Sequence, residues 1–240
     1  MSKLAQRCEG CDLAPYLAEF AATLVFVLIG AGSIVSGKLD GFGVAVAHGL
    51  TIGIMVAAIG NISGGHINPA ITWGIMVRGA WKRDFSFRKG TGYIFAQLAG
   101  AAAGAGILFG LAYLQDGGKT AAGVVNFGTP SLAGGLDPLG GFVYEMVFGF
   151  ILMFVILRTA VEQKLVIAPL MIGGAVFAGA LMGGSYTGAA MNPARWFGPA
   201  LISGTWENWW IYLFAPMIGA VIAVIMNGLI SSSKKNSSPA

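Results

Sequence analysis

The sequence predicts an all-α membrane protein: six transmembrane helices plus two re-entrant half-helices, arranged as an inverted 3+3 repeat. Three observations predict it. Six apolar segments, at 16–35, 42–59, 91–114, 141–161, 166–182 and 210–230, are each long enough to span a bilayer, which takes about 20 residues. The tripeptide Asn-Pro-Ala occurs twice, as Asn68-Pro69-Ala70 and Asn192-Pro193-Ala194. Each copy opens a helix-compatible stretch of only about ten residues, too short to span. Finally, the two halves of the chain echo each other at a near-constant offset. Composition agrees, with 56% hydrophobic and 10% charged residues and a mean hydropathy of +0.75, where a soluble domain carries roughly 25% charge.

Along the chain, residues 1–14 are expected as a tail. Cys8 and Cys11 form a C-x-x-C there. Two cysteines without a nearby histidine cannot complete a tetrahedral zinc site, so they read as solvated thiols, with a redox pair or an intersubunit metal site as alternatives. The first span carries Glu19 and lacks a small-residue cleavage site after a short apolar core, so it is expected to stay as a span rather than be removed as a signal. The second span carries His48 and the fourth Glu145. Gly100-xxx-Gly104 and Gly106-xxx-Gly110 in the third span, and Gly179-xxx-Gly183 around the fifth, fit close helix crossings. The serine- and lysine-rich residues 231–240 read as a disordered tail.

A pI near 9.2 would suit a nucleic-acid partner, but the placement of the charges argues for none. Arg78, Lys82, Arg83, Arg88 and Lys89 cluster between the first half-helix and the third span. Arg158 and Lys164 lie between spans four and five, and Lys3, Arg7, Lys234 and Lys235 lie in the tails. The other side keeps only Lys38, Lys119 and Arg195. Six spans put both termini on one side, and the excess of basic residues makes that side cytoplasmic.

Glu19 matches Glu145 at an offset of 126, and Asn68 matches Asn192 at an offset of 124. Ser63-Gly64-xxx-Asn68 parallels Thr187-Gly188-xxx-Asn192, and the stretch 93–101 (YIFAQLAGA) parallels 212–220 (YLFAPMIGA). The chain reads as one domain over 1–240, with repeat one at about 15–114 and repeat two at about 141–230. Each repeat holds three spans, an odd number, so the second enters the membrane from the opposite face. Such repeats place a binding or conduction site at the midplane. Asparagine before proline is a helix-start pair: the side-chain oxygen caps its own helix, and the proline takes the first helical position. The amide hydrogens of Asn68 and Asn192 are then expected to face a lumen, where the two positive helix ends oppose cations. Gly64, Gly65, His66 and Ile67, then Gly188, Ala189, Ala190 and Met191, offer a ladder of backbone carbonyls, with the small residues letting the backbone face inward. Glu19 and Glu145 are buried acids, open to a proton relay or to hydrogen bonds that brace the re-entrant backbone.

Paired NPA motifs, the contexts GHINPA and MNPAR, a glutamate in spans one and four and matched spacing throughout make this chain resemble the major intrinsic protein family of aquaporins and glycerol facilitators, over about residues 15–230. The resemblance implies one pore per subunit of a homotetramer in the bilayer, with the glutamates bracing the loops. It implies pore walls at Phe26, Ile52, Leu152 and Val176, and a selectivity filter at His48, Ala180, Ala189 and Arg195. His48 stands twenty residues before Asn68, while Ala180 and Ala189 stand twelve and three before Asn192. Strict water channels typically have Phe, His and Cys or Thr at the first three filter positions; a histidine in the second span resembles plant tonoplast intrinsic proteins. Ala180 leaves space beside Arg195, and His48 is expected on the opposite wall. Glycerol facilitators typically carry Asp after the arginine, where this chain has Trp196.

The expected function is a passive channel for water and small neutral solutes (ammonia, urea or glycerol) that excludes protons and ions, in the cell membrane. A strict water channel, a secondary transporter with His48 as its titratable group, and a structural junction protein are the alternatives. No nucleophile–base pair or metal cluster is visible, so no enzyme activity, cofactor or metal is expected.

Overall fold

A computed structural model describes residues 12–117 and 125–236. The expectations for Lys3, Arg7, Cys8, Cys11, Lys119 and residues 237–240 lie outside them. In chain order the helices are α1 (Ala14–Val35), α2 (Gly41–Ile59), α3 (Pro69–Lys82), α4 (Phe87–Asp116), α5 (Pro138–Ile156), α6 (Ala168–Thr187), α7 (Pro193–Ser203) and α8 (Trp209–Asn236). Six are long and apolar enough to cross a membrane: α1, α2, α4, α5, α6 and α8. The other two, α3 and α7, have 14 and 11 residues, about 21 and 17 Å of helix against a hydrocarbon core of about 30 Å.

The helix starts follow from local chemistry. Asp40, Ser86 and Asp137 each accept a backbone N–H of the first turn of α2, α4 and α5, at 2.8, 3.2 and 2.8 Å. Pro15, Pro138 and Pro193 sit in the first turn of α1, α5 and α7, where no donor is lost. Past Ile156, α5 widens into a π-helical turn, Leu157–Glu162.

Packing repeats the sequence symmetry. The pair α1·α4 corresponds to α5·α8, and α2 packs on its own counterpart α6. Each half-helix lies against the last span of the other repeat, α7 on α4 and α3 on α8. Leu17, Leu50, Ile54, Phe95, Leu114 and Leu229 are more than half exposed around the outside. Such a wide apolar surface suits lipid.

Three sequence expectations are corrected. Residues 231–236 continue α8 as helix rather than starting a disordered tail, because no glycine or proline interrupts the backbone between Ile230 and Asn236. The fifth span extends to Thr187, five residues past its apolar run, and stops where Gly188 turns left-handed at φ +78°. Gly100 and Gly104 do meet the α1 backbone at Phe20 and Leu24, whereas added methyls at Gly106 and Gly110 would meet nothing within 4 Å among the described residues.

Candidate functional site

Each re-entrant loop hangs from a buried carboxylate. Glu19 accepts from Ser63 Oγ at 2.6 Å and His66 N–H at 2.9 Å on one oxygen. Its other oxygen accepts from Ile67 N–H at 2.6 Å and Gln97 Nε2 at 2.8 Å. Glu145 accepts from Thr187 Oγ1 at 2.7 Å, Ala190 N–H at 2.9 Å and Met191 N–H at 2.8 Å. The hydroxyls of Tyr93 and Tyr212 then donate to the carbonyls of Ser63 and Thr187, at 2.9 and 3.0 Å. This network satisfies backbone donors that neither water nor a regular ladder reaches at membrane depth. It also holds Ile67 and Met191 in the left-handed region at φ +55° and +54°, which costs a side-chain-bearing residue about 1–2 kcal/mol.

Both half-helices start at their asparagines. Asn68 Oδ1 accepts from Ala70 N–H at 2.8 Å, and Asn192 Oδ1 accepts from Ala194 N–H at 2.9 Å, with Pro69 and Pro193 in the first turns. The amide of Asn68 donates to the Met191 carbonyl at 2.8 Å, and that of Asn192 donates to the Ile67 carbonyl at 3.0 Å. The N-termini of α3 and α7 therefore meet, each clipped to the other's loop. From sequence, both hydrogens of each amide were expected to face the lumen. In the structure one of each pair is engaged, by the carbonyls of Met191 and Ile67, each of which keeps a second lone pair.

Two cavities approach this meeting point. One of about 340 Å³ is lined by Phe26, His48, Val176, Ala180, Gly188, Ala189, Ala190 and Arg195. The other, of about 800 Å³, is lined by Gly64, Gly65, His66, Ile71, Ile75 and residues of α5 and α6. Ile52 and Leu152 are buried in the cluster that also holds Phe26, Val176, Ile67 and Met191. The structure thus brings His48, Ala180, Ala189 and Arg195 to one cavity.

Arg195 is 1% exposed. It donates Nε–H to His48 Nε2 at 3.1 Å and Nη1–H to the Gly128 carbonyl at 2.8 Å. His48 Nδ1 lies 2.9 Å from the Val44 carbonyl, which can only accept. The ring is therefore the neutral Nδ1–H tautomer, donating to Val44 and accepting from arginine. This corrects the placement of His48 on the wall opposite Arg195: the two side chains are bonded. Gly30 makes the space, since a methyl there would lie 2.8 Å from His48 Nε2.

Several participants were not found from sequence. Tyr93 and Tyr212 were noted only as a repeat pair. Gln97 faces Thr72 and Glu19, and the break in the repeat at Pro216 was its one available signal. The carbonyl of Gly128 left no signal. His66, expected to contribute mainly its carbonyl, also places its ring Nδ1 3.1 Å from Thr72 Oγ1 and its ring near those of Phe85 and Tyr93. Trp196 stacks on Tyr212 at 5.8 Å, in the cluster with Ala190 and Ile211, and its indole N–H has no partner among the described residues. Among the described residues no group of three or more His, Cys, Asp or Glu converges.

Comparison with known proteins follows the same lines. The family profile described as Major intrinsic protein matches residues 11–227. The chain is similar to aquaporin TIP1-2 of Zea mays, 39% identical over 228 residues, covering 89% of this chain and 84% of the relative. It is similar to aquaporin-4 of Mus musculus, 41% identical over 219 residues and 86% of this chain; there it spans 64% of the relative, just under two thirds of its length. The fold is similar to that in the X-ray structure of the aquaglyceroporin from Plasmodium falciparum, with a TM-score of 0.83 and 24% identity over 94% of this chain and 99% of that one.

Proposed function

The chain belongs to the major intrinsic protein family, as a multi-pass membrane channel rather than an enzyme, and we propose that it conducts water and small neutral solutes passively while excluding protons and ions. The observation that carries this reading is the reciprocal clip of Asn68 to Met191 and Asn192 to Ile67. Each amide keeps a second hydrogen beyond the clip, read here as facing the lumen where the positive ends of the two half-helices meet. A passing water accepts from the amides and turns its own hydrogens outward on both sides, which interrupts a proton wire. In the general account of aquaporin-type pores, pore width, lining donors, an arginine and half-helix dipoles set selectivity.

The second barrier is Arg195. Guanidinium has five N–H donors; His48 and Gly128 engage two, leaving three for permeant oxygens. His48 fixes the arginine without adding charge. Ala180, small itself, leaves room beside Arg195 in the cavity they share for ammonia, urea or glycerol to pass. A filter of His48, Ala180, Ala189 and Arg195 is proposed on this basis, with Gly64, Gly65, His66, Gly188 and Ala190 as carbonyl acceptors and Phe26, Ile52, Leu152 and Val176 as apolar wall. The protein is proposed to be a homotetramer with both termini cytoplasmic. The cell membrane is the first reading of its location, and a vacuolar membrane the second, on the strength of the His48 resemblance.

Stopped-flow light scattering of proteoliposomes tests the reading. Water flux well above that of empty vesicles, with a small-solute flux and no proton flux, is the expected result. Water flux at the level of empty vesicles would overturn it.

A further inference from the structure

We propose that a cavity beside the inner mouth, between α3, the π-turn after α5 and α8, binds a phosphate-bearing anion at the membrane surface. It occupies about 630 Å³, and Arg78, Trp81, Lys82, Arg158, Asn227 and Ser231 are among its lining residues. Arg78 and Lys82 are four apart on α3 and share a face. The lining carries Arg78, Lys82 and Arg158 against Glu162, a net charge of +2.

These cations are incompletely matched. Among the described residues the one ion pair is Arg78 with Asp84. Arg158 donates to the neutral Asn227 Oδ1 at 3.3 Å, and the Asn227 amide passes the bond on to Glu162 Oε1 at 3.2 Å. Asn227 is 4% exposed, so it sets the position of Arg158 without neutralising it. The π-turn is the device that points Arg158 here while Ala160 and Val161, two and three residues on, line the inner cavity. Such wide turns recur at functional sites.

The depth fits a headgroup. Trp81 is 62% exposed at the rim, and exposed tryptophan marks the lipid–water boundary. Val224, Gly228, Ser231 and Ser232 also line the cavity. Basic pockets between helices on the cytoplasmic side recognise anionic phosphate headgroups, and the face in question is the one proposed above to be cytoplasmic. The shared chemistry is a phosphate mono- or diester, from a lipid or from a soluble ester. Arg78 also lines the inner cavity, so the occupant sits one side chain from the pore.

Native mass spectrometry of the detergent-solubilised full chain, incubated with phosphatidylglycerol or phosphatidylcholine, tests the proposal independently of transport. Wild type is expected to retain phosphatidylglycerol over phosphatidylcholine, and the preference should fall about fivefold for each cation removed, in Lys82→Gln and then Lys82→Gln/Arg158→Gln. Lys82 is exposed, so its single variant keeps the test valid if the double variant misfolds; unchanged water permeability reports that it is folded. Displacement of the lipid by millimolar inorganic phosphate would identify a soluble ester as the ligand, and persistence would identify the headgroup. Equal retention of the two lipids by wild type, or an unchanged preference in folded Lys82→Gln, would overturn the proposal.

Discussion

Arg195 and His48 form one unit: the arginine's Nε–H rests on the histidine's Nε2 at 3.1 Å, and the histidine is fixed in that role by the Val44 carbonyl at 2.9 Å. A charged donor bonded this way is held to one side of its cavity, with its remaining hydrogens turned elsewhere. A charge-assisted bond of this kind contributes about 1.5–3 kcal/mol. Loss of either partner should change both the position of the arginine and the stability of the fold.

Gly30 provides the most sensitive probe of that unit. Gly30→Ala puts a methyl 2.8 Å from His48 Nε2 and 2.9 Å from Cδ2, which pushes the ring off the guanidinium without removing a polar atom. The expected outcome is a changed urea-to-water permeability ratio, matched in direction by His48→Leu. Permeability ratios identical to wild type in both variants would show that the bond does not shape the filter.

Charge exclusion is tested at the arginine itself. Arg195→Val should raise proton leak while water still passes. Arg195→Lys should not restore selectivity, because an ammonium cannot donate to His48 and Gly128 in the same fork geometry. An interior pH dye reads the proton flux. Unchanged flux in Arg195→Val would assign the whole barrier to the ends of α3 and α7.

The two glutamates separate bracing from proton relay. In Glu19→Gln the new amide nitrogen faces donors, and Glu19 serves four of them where Glu145 serves three. Each stranded donor costs about 1–3 kcal/mol. Glu19→Gln and Glu145→Gln should both lower the melting temperature and the yield of folded protein, Glu19→Gln more. A normally folded Glu19→Gln that has lost only a proton current would favour the relay.

How far these features were legible in sequence depends on whether they repeat. Asn68 and Asn192, and Glu19 and Glu145, stand at matched positions, so symmetry separates them from the apolar background. The Gly128 carbonyl is a backbone acceptor 67 residues from Arg195, and no residue type marks it. His48 could be set at the right level by counting from Asn68, but spacing gives height along a helix and not the rotamer that turns the ring to Arg195. The extent of α8 was missed because composition reports solvation, while helix propagation depends on the absence of a breaker.

Mercurials probe the proposed filter from another side. Ala189 lines the cavity of about 340 Å³ at φ +41°, and cysteine there meets no backbone cost that alanine does not already bear. Ala189→Cys should make water flux sensitive to mercuric ion, while wild-type flux should be insensitive. Inhibition of wild type that disappears in Cys8→Ser/Cys11→Ser would locate the control in the N-terminal segment instead.

The width of the filter decides the permeant. Ala180 shares a cavity with His48 and Arg195, and Trp196, the bulky neighbour that could have filled it, packs with Ala190 and on Tyr212. With His48 bonded to Arg195, the cavity beside Ala180 is also lined by Gly188, Ala189, Ala190 and Arg195, whose carbonyls and guanidinium hydrogens are the polar groups proposed to face a solute. A solute larger than water gives up hydration on entry and regains it only where donors and acceptors line the way. Urea and ammonia match that lining, and wild type should pass at least one of them. Ala180→His should narrow the gap and lower that solute's flux while sparing water. The measurement is the solute-to-water permeability ratio in the same vesicles, so that protein content cancels. If wild type excludes ammonia, urea and glycerol alike, the permissive reading gives way to a strict water channel.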